Sequence, residues 1–458
     1  MNDHIGTPPP QWSGVRRLPG LKGRIPRPRR GAVVLTTVGS LGDLYPVLAI
    51  ARALELTGLE PRLALSPEDC DVARRWGLLA TPVGPSQAEI CARLGVTRDQ
   101  IAAEVLRDAG PLIRDVAIPM LAKMTTALAP LCDGASCVAG TTFALNAPLA
   151  AEMARLPYVP LLLQPMLQFS ALDPPRGRGF GAMIPAPRSR PAIAWNRLII
   201  RAARAVLRRR HAADLTKVRM GLGLPPEPGT PLLEHRAAVP LRLGLWHPRF
   251  APLPEDAPDG LITTGFPPPP DGTLDPEVER WIEAGPAPLV VTLGSIAQDL
   301  GGAEFWSEAA DLAHAMGLRA VLLHGQATAP TGPDILPLPY APHAPLFPQA
   351  AAILHHGGIG TSAEALRAGR PQLVVPVGGD QPDNAARLTA LGVAAALPLR
   401  RFTPARAKDA LEPLLDRFDY PAAAELGAEI AALDGAGEAA LHLARVALKH
   451  RPHVVGMD

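Results

Sequence analysis

Short apolar runs recur along the chain, and each is followed by a glycine-containing loop and an amphipathic segment. The run at 32–38 is rich in β-branched residues and leads into the loop GSLGD at 39–43. Apolar residues then recur at helical spacing from Val47 to Leu54, and a second apolar run follows at 62–65. Strand, glycine loop, helix and strand in this order are typical of a parallel α/β sheet.

The same pattern restarts in the second half of the chain. Apolar runs at 288–293, 319–323, 351–354 and 372–377 predict strands, and the segment 303–316 predicts a helix between the first two. The sequence therefore predicts an α/β protein with two Rossmann-like domains that face each other across a cleft. Ligands of such sheets bind beyond the carboxyl ends of the strands, where the glycine loops fall.

Changes in composition suggest the domain boundaries. We predict a disordered Pro-, Gly- and Arg-rich leader at 1–30, a first Rossmann-like domain at 31–247 and a proline-rich linker at 248–276. A second Rossmann-like domain covers 277–434. The remaining segment, 435–458, is expected to form a helix that returns to the first domain.

Composition excludes several classes of protein. The chain has 458 residues and a formal net charge of only +2, so we expect no nucleic-acid partner. Its four cysteines match no zinc-binding spacing and indicate reduced thiols in a cytoplasmic protein. No continuous apolar run reaches the ~18 residues of a membrane-spanning helix.

The sequence HHGGIGT at 355–361 lies between a predicted strand and a predicted helix. Glycines let the backbone approach a ligand, and a helix N-terminus favours a phosphate group. A histidine at this position can donate a hydrogen bond to a leaving diphosphate. A tight turn capped by the histidines is the structural alternative. Ser295, at the end of another predicted strand, is a further candidate for a phosphate contact or an ordinary turn residue.

Two loops carry acidic residues at strand ends. Asp380 and Gln381 can together accept and donate hydrogen bonds to sugar hydroxyls, although Asp380 is also a candidate N-cap. Asp43 can take a proton from an acceptor hydroxyl, and it too is a candidate N-cap. The loop at 39–43 is not the dinucleotide fingerprint, which requires G-x-G-x-x-G.

These motifs resemble those of the bacterial family 1 glycosyltransferases, part of the UDP-glycosyltransferase superfamily, which include sterol, antibiotic and lipid glycosyltransferases. GSLGDLYP at 39–46 is similar to their N-terminal signature, and HHGGIGT, Gly369-x-Pro371 and Pro376-x-x-x-Asp380-Gln381 are similar to their donor motif. Among them, the pattern is most similar to the rhamnosyltransferase of rhamnolipid assembly, in DQPDNAARL at 380–388, WHP at 246–248, TGFP at 264–267 and YAP at 340–342. The resemblance implies a GT-B fold with the acceptor on the first domain and the nucleotide sugar on the second, an inverting reaction, a UDP- or dTDP-sugar as co-substrate, and no metal or other cofactor.

The resemblance also assigns roles to individual residues. Asp43 takes the place of the catalytic base, and of the two histidines His355 is favoured for the phosphate contact. Plant relatives carry a Trp and a Gln where this chain has Tyr340 and His343, which leaves the contacts to the base and the ribose open. The residues implied to bind the donor are Ser295, Tyr340, Ala341, His355, His356, Gly357, Gly358, Gly360, Thr361, Glu364, Asp380 and Gln381.

The acceptor is less well defined by the sequence. The apolar segment at 161–167 is either a core strand or the wall of a hydrophobic pocket. A predicted helix places Arg197, Arg201, Arg204 and Arg208 on one face, which is typical either of a solvated surface or of a helix that rests on an anionic membrane. Together these features favour a hydrophobic acceptor such as a lipid, a sterol or a polyketide-like molecule, with peripheral membrane contact.

Two other functions fit a chain with two Rossmann-like halves. A nucleotide-sugar 2-epimerase of GT-B fold is disfavoured by the Asp43 loop and by the pair Asp380 and Gln381. A non-catalytic homologue that activates or scaffolds a partner enzyme is disfavoured because the acidic and histidine candidates are all present.

Overall fold

The computed structural model describes residues 31–226, 237–294 and 301–450. The predicted leader at 1–30 and the predicted phosphate ligand Ser295 lie outside the described residues.

The first half of the chain forms a parallel sheet of seven strands in the order β3-β2-β1-β4-β5-β6-β7. Every residue of β1, β4 and β5 is buried, as expected for central strands covered on both faces. The strands are β1 (Ala32–Thr36), β2 (Glu60–Leu65), β3 (Ala80–Pro82), β4 (Ala135–Thr141), β5 (Tyr158–Leu162), β6 (Arg242–Gly244) and β7 (Leu261–Thr263).

Helices on both sides of this sheet connect the parallel strands. The helices are α1 (Leu41–Leu56), α2 (Pro67–Arg75), α3 (Gln87–Leu94), α4 (Arg98–Arg107), α5 (Ile118–Leu128), α6 (Asn146–Met153) and α7 (Arg190–Gly221). A π-helical segment, Leu112–Ala117, leads directly into α5, and 3-10 turns cover Ala129–Cys132 and Pro165–Gln168.

The second half forms a parallel sheet of six strands in the order β10-β9-β8-β11-β12-β13. Its strands are β8 (Leu289–Thr292), β9 (Ala320–Leu323), β10 (Ile335–Leu338), β11 (Ala352–His355), β12 (Gln372–Val374) and β13 (Ala394–Ala396). The helices are α8 (Pro276–Glu283), α9 (Gly302–Ala315), α10 (His343–Leu346), α11 (Ile359–Ala368), α12 (Gln381–Ala390), α13 (Pro404–Arg417), α14 (Tyr420–Ala432) and α15 (Gly435–Lys449). Short 3-10 turns cover Phe347–Gln349 and Leu399–Arg401.

The proline-rich segment 248–276 is not wholly a linker. It contains β7, which pairs in parallel with β6 and completes the first sheet. Because β7 has only three residues, Leu261–Thr263, it is too short to show an alternating or continuous apolar pattern in the sequence.

The last two helices lie on different parts of the molecule. Helix α14 packs on α11 of the second half, whereas α15 packs on α1 and contacts β1 and β4 of the first half. Leu443 and Val446 of α15 are buried in the same core as Val47 and Leu54 of α1. The C-terminal helix therefore covers the first sheet.

One helical segment, Leu112–Cys132, is long and apolar enough to cross a membrane by length and composition. Arg114, Asp115 and Lys123 interrupt its apolar residues, so it contains no continuous apolar run. Ile118 and Leu121 are buried in one cluster with Leu149 of α6 and Leu215 of α7. The apolar residues of this segment thus belong to the core of the first half.

Candidate active site

The strand order reverses direction at one point in each sheet. In the first sheet β1 lies between β2 and β4, and in the second sheet β8 lies between β9 and β11. Beyond the carboxyl ends of such strand pairs the loops diverge and leave a crevice for ligands. The loop at 39–43 follows β1, and the loop at 355–361 follows β11, so both main sequence motifs lie at these crevices.

The two crevices face each other. A Cβ built on Gly360, in the second half, would lie 3.9 Å from the Cα of Gly42 in the first half. The charge on Asp43 also contributes to raising the pKa of Asp380, which places these two carboxylates within electrostatic range. The structure therefore brings the loop after β1 and the two loops after β11 and β12 to one cleft.

The carboxylate of Asp43 is held in place by Ser40. Asp43 Oδ2 accepts hydrogen bonds from the Ser40 backbone N–H at 2.8 Å and from the Ser40 hydroxyl at 3.0 Å. Ser40, not Asp43, is the N-cap of α1, and the two residues form a capping box. Burial raises the pKa of Asp43 to about 6, against the lowering effect of the Ser40 hydrogen bonds. This carboxyl is therefore fixed in orientation and titrates close to neutral pH.

Gly39 makes this arrangement possible. Its φ is +154°, and a side chain there would collide with the carboxylate of Asp43. Only glycine combines this backbone conformation with the close approach of the loop to Asp43.

The two histidines after β11 have different surroundings, and those of His355 disfavour it as the phosphate contact. His355 Nε2 lies 3.0 Å from Gln372 Oε1, and its Nδ1 accepts a hydrogen bond from the Gly357 N–H at 3.1 Å. Both ring nitrogens are thus occupied, and the side chain is completely buried. His355 supports the turn from below.

His356 is the histidine with an unused ring nitrogen. Its Nδ1 is buried and has no hydrogen-bond partner among the described residues, and the side chain as a whole is 8% exposed. The ring packs against Gly294 and Gly358, where a Cβ would collide with it. Burial, with the neighbouring His355 and His343, lowers the pKa of His356 to about 3, so its ring is neutral at physiological pH. His356 therefore joins the end of β8 to the glycine turn and offers a free ring nitrogen.

The turn after His356 ends at the N-terminus of α11. Gly358 is the N-cap of this ten-residue helix and has no side chain to cap it, which leaves the first backbone N–H groups without a side-chain acceptor. Gly360 is exposed in the cleft, whereas Thr361 is 8% exposed. Gly357 adopts a positive φ of +88° and passes over Val374 and Gln381.

Asp380 and Gln381 open α12. Although Asp380 is the N-cap residue, its side chain makes no capping bond, and its Oδ2 accepts a hydrogen bond from the Asn384 amide at 2.7 Å. Burial raises the pKa of Asp380 to about 7, and the charge on Asp43 contributes to the rise. Gln381 Oε1 accepts from the Val377 N–H at 2.7 Å and the Gly378 N–H at 3.2 Å. Gln381 thus uses its oxygen to fix the loop, and its amide nitrogen is the group left for a ligand.

Two predicted donor contacts lie at the end of β10. Tyr340 is 68% exposed, whereas Ala341 is 4% exposed and belongs to a core cluster of the second half. Tyr340 and Tyr45 of α1 interact electrostatically, which places the Tyr340 ring at the cleft between the halves. His343, two residues further on, stacks on Phe347 with ring centroids 4.3 Å apart.

Glu364 lies on the second turn of α11 and is paired with Arg367. Arg367 also donates hydrogen bonds to the carbonyl oxygens of Phe266 and Pro267, which lie in the segment that joins the two sheets. Burial raises the pKa of Glu364, and Arg367 opposes the rise. The carboxylate predicted to contact a ribose therefore also anchors the connection between the halves.

Sequence reasoning missed a group of residues on α12 that links the two glycine-containing loops. The Asn384 amide donates to the Gly357 carbonyl at 2.9 Å as well as to Asp380. Arg387 is paired with Asp383 and, across the cleft, with Asp173, both at 2.8 Å. The spacing of Asp380, Asn384 and Arg387 on one helix face was visible in the sequence, but the partner Asp173 was not.

Two Rossmann-like sheets with facing glycine loops, an aspartate on one side and a glycine turn at a helix N-terminus on the other define a GT-B protein. Residues 323–444 match the model of the EryCIII-like family, described as the C-terminal domain of erythromycin biosynthesis protein CIII-like proteins. The chain is 30% identical over 377 residues to glycosyltransferase GtfE of Amycolatopsis orientalis, a match that covers 80% of this chain and 85% of the relative. The chain therefore belongs to the family 1 glycosyltransferases and is a glycosyltransferase enzyme.

Two further similarities agree with this assignment. Vancomycin aglycone glucosyltransferase of Amycolatopsis orientalis is 28% identical over 378 residues, covering 80% of this chain and 85% of the relative. The crystal structure of glycosyltransferase VinC in complex with dTDP superposes with a TM-score of 0.62 at 23% identity and covers 91% of this chain and 100% of VinC. The predicted fold class and family are confirmed.

Proposed function

We propose that the chain transfers a sugar from a UDP- or dTDP-sugar to a hydroxyl group of a hydrophobic acceptor, with inversion at the anomeric carbon and without a metal ion. The observation that carries this proposal is the carboxylate of Asp43, which is fixed by Ser40 on the side of the cleft that faces the HHGGIGT turn. A base and a phosphate-binding turn on opposite walls suit a direct displacement.

The reaction requires one proton transfer and one exchange of bonds. Asp43 takes the proton of the acceptor hydroxyl as that oxygen attacks the anomeric carbon from the face opposite the diphosphate. The bond between the anomeric carbon and the diphosphate oxygen breaks, and the nucleoside diphosphate leaves with the electron pair. A carboxyl whose pKa is raised to about 6 is a better proton acceptor than an ordinary aspartate, and it is still ionised at neutral pH.

The leaving diphosphate is assigned to the second half. His356 offers its unpartnered ring nitrogen, and the N-terminus of α11 offers backbone N–H groups at Gly358, Gly360 and Thr361. Ser295 remains a predicted contact at the end of β8. Each preorganised donor to a developing negative charge can contribute about 2.7–4 kcal/mol to stabilisation of the transition state.

The rest of the donor is assigned by position in the cleft. Asp380 and the amide nitrogen of Gln381 face the sugar hydroxyls, since both lie at the start of α12 near Asp43. The exposed ring of Tyr340, with the backbone at Ala341, would hold the nucleobase, and Glu364 the ribose. VinC, which shares this fold, was crystallised with dTDP. This agrees with a pyrimidine nucleotide as the carrier of the sugar.

The acceptor is assigned to the first half. Leu161 and Leu163 are buried core residues and β5 ends at Leu162, so the start of the apolar segment 161–167 is core and not pocket wall. Met166 and Leu167, just beyond β5, are half-buried and lie at the carboxyl edge of the sheet, where an apolar acceptor would bind. The name of the vancomycin aglycone glucosyltransferase indicates that one relative glycosylates a natural-product aglycone.

A cytoplasmic location is also part of the proposal. All four cysteines are free, and Cys70, Cys132 and Cys137 are buried. Unpaired buried thiols are typical of proteins in a reducing compartment.

The proposal is tested by identifying the donor and then removing the base. A thermal-shift panel of nucleotide sugars identifies the donor, because stabilisation grows with the ratio of ligand concentration to Kd. With that donor, Asp43→Asn is expected to lower kcat by about 10²–10⁴-fold, the range of general base catalysis, with nearly unchanged Kd for the nucleotide. Asp71→Asn, which changes an exposed carboxylate of α2, is the matched control. Near-normal turnover in Asp43→Asn would overturn the role of Asp43.

A further inference from the structure

The basic residues of the chain are concentrated in one region. Between Asp173 and Asp214 there are ten arginines and no aspartate or glutamate. The whole chain has only two more basic than acidic residues, so the remainder of the protein is net negative. Most of these arginines lie on α7, a single helix of 32 residues.

Helix α7 is anchored at both ends and exposed in the middle. Near its start, the completely buried Asn196 bonds with the backbone of Ala171 and Ile184. Near its end, Arg219 forms a 2.7 Å ion pair with Glu152. Between these anchors, the six residues 201–206 are all exposed. A helix that only covered the body of a protein would bury at least one position in each turn, so this stretch faces solvent all round.

The exposed stretch carries an apolar stripe as well as charge. Trp195, Leu198 and Val206 are 45%, 54% and 60% exposed, and with Ala202 they follow helical spacing along one side. The arginines at 197, 201 and 204 lie on a different face of the helix, roughly 140° around its axis from the apolar stripe. A helix with exposed apolar residues on one face and arginines on another is typical of helices that lie in the interface of an anionic membrane, with tryptophan at the headgroup level.

The exposed surface of α7 is connected to the cleft through the segment that precedes the helix. The segment that leads into α7 contacts the start of α12, because Asp173 pairs with Arg387 and the Arg176 N–H donates to Asp383 at 3.2 Å. Gly177 lies against the Gly379 carbonyl and Pro382. Binding of α7 to a surface would therefore also place the edge of the cleft, at the loop that leads into α12, close to that surface.

We propose that the exposed face of α7, between Trp195 and Arg210, docks on an anionic lipid surface and brings the acceptor side of the cleft to the membrane. The arginines supply long-range attraction, and the apolar stripe inserts at the headgroup boundary. Docking needs neither the nucleotide sugar nor Asp43, so vesicle binding can be tested separately from the proposed reaction.

The apolar stripe distinguishes this partner from two others. A nucleic acid would be bound by the arginines alone and would leave Leu198 and Val206 in water. A second copy of this chain would bring the same row of positive charges against itself, which is unfavourable unless acidic residues lie beside it. An anionic bilayer satisfies both the charge and the apolar residues.

The test is flotation of the full-length protein with vesicles of phosphatidylcholine, with or without 30% phosphatidylglycerol. The protein is expected to bind the anionic vesicles at low ionic strength and to bind less at high salt. Each arginine near the surface contributes about fivefold to the partition coefficient at low ionic strength. The triple variant Arg197→Glu, Arg201→Glu, Arg204→Glu is therefore expected to have a partition coefficient for anionic vesicles that is lower by about 100-fold or more. The matched control is Arg400→Glu, Arg401→Glu, Arg406→Glu, which makes the same charge change at exposed positions of the second half.

A second variant separates the apolar stripe from the charge. Leu198→Ser with Val206→Ser retains every arginine and changes only exposed side chains, so folding should be preserved. This variant is expected to lose the part of vesicle binding that persists at high salt. The proposal is overturned by absence of binding to anionic vesicles at low salt, or by equal loss in the α7 triple variant and its control. It is also overturned if the serine variant binds as well as the wild type, or if RNA binds tightly and vesicles do not.

Discussion

Arg387 and Asp173 form an ion pair with a separation of 2.8 Å that joins the two halves of the protein at the cleft. Arg387 lies on α12, the helix that begins with Asp380 and Gln381, and Asp173 lies between β5 and α7 of the first half. The guanidinium is 6% exposed and is also paired with the completely buried Asp383. The donor-side loop is thus tied to the acceptor-side half by a largely buried charge network.

Removing this link should destabilise the protein and weaken donor binding. Asp383→Asn leaves the buried Arg387 without its completely buried partner, and breaking such a pair costs about 3–5 kcal/mol. Asp173→Asn should cost less, about 1–2 kcal/mol, because Asp173 is a quarter exposed and Arg387 keeps Asp383. Urea unfolding at neutral pH measures both values. The exposed pair of Arg74 and Asp71 is the control, and Asp71→Asn should change stability very little. Equal costs for the two network variants would contradict this ranking.

The acid limb of the pH–rate profile should report Asp43. Burial raises its pKa to about 6, and the base must be ionised to accept a proton. kcat/KM is therefore expected to fall about tenfold per pH unit below about pH 6 in the free enzyme. In Asp43→Asn the residual activity should lack this limb. A profile that is flat down to pH 4.5 in the wild type would exclude Asp43 as the proton acceptor.

Substitution of the two histidines of the HHGGIGT turn should affect different properties, nucleotide binding for His356 and thermal stability for His355. His356→Ala removes the free ring nitrogen and is expected to raise the Kd for the nucleoside diphosphate about 10–100-fold, the value of a hydrogen bond to a charged group. His355→Ala leaves the Gln372 side chain and the Gly357 N–H unpaired in the core, so it should mainly lower thermal stability. Isothermal titration and thermal unfolding of both variants provide the comparison. The reverse pattern would restore His355 as the phosphate contact.

Asp380 should make stability depend on pH in a defined direction. Its folded-state pKa of about 7 lies above the ordinary value of 3.8, so the folded protein binds this proton more tightly than the unfolded chain does. The free energy of unfolding therefore falls as pH rises from about 4 to about 7. Above that range the full destabilisation from burying the Asp380 carboxylate is present.

The variant Asp380→Asn removes this cost. It is expected to unfold at a higher temperature than the wild type at pH 8 and at a similar temperature at pH 4.5, where the wild-type carboxyl is protonated. Scanning calorimetry at the two pH values measures the difference. A variant that is less stable than the wild type at pH 8 would show that the carboxylate has a stabilising partner that outweighs its burial.

Much of the fold could be predicted from local patterns. Central strands such as β1 and β11 are short continuous apolar runs, because both faces of a parallel sheet are buried. The glycine loops follow these strands directly, so the motifs and their position at the carboxyl edges were visible along the chain. The three-residue strand β7 carried no such pattern, and the proline content of 248–276 hid it.

The candidate site was predicted as a set of residues but not as a geometry. Asp43 and Asp380 are 337 positions apart in the printed numbering, and only the packing of α1, α11 and α12 brings them to one cleft. The sequence marked both histidines, but Gln372 on the neighbouring strand β12 decides that His355 is occupied. Likewise, Arg387 was visible on its helix, whereas its partner Asp173 lies in the other half.

The sequence by itself determined the class of fold, the family and the loops that carry the chemistry, because apolar periodicity and glycine spacing are properties of neighbouring residues. The tertiary structure decided which side chains are free to act. It left the Nδ1 atom of His356 without a hydrogen-bond partner among the described residues, placed Glu364 beside Arg367 and exposed the middle of α7. The physical reason is that burial, hydrogen-bond partners and charge neighbours come from segments far apart in the chain, and these set both pKa values and accessibility.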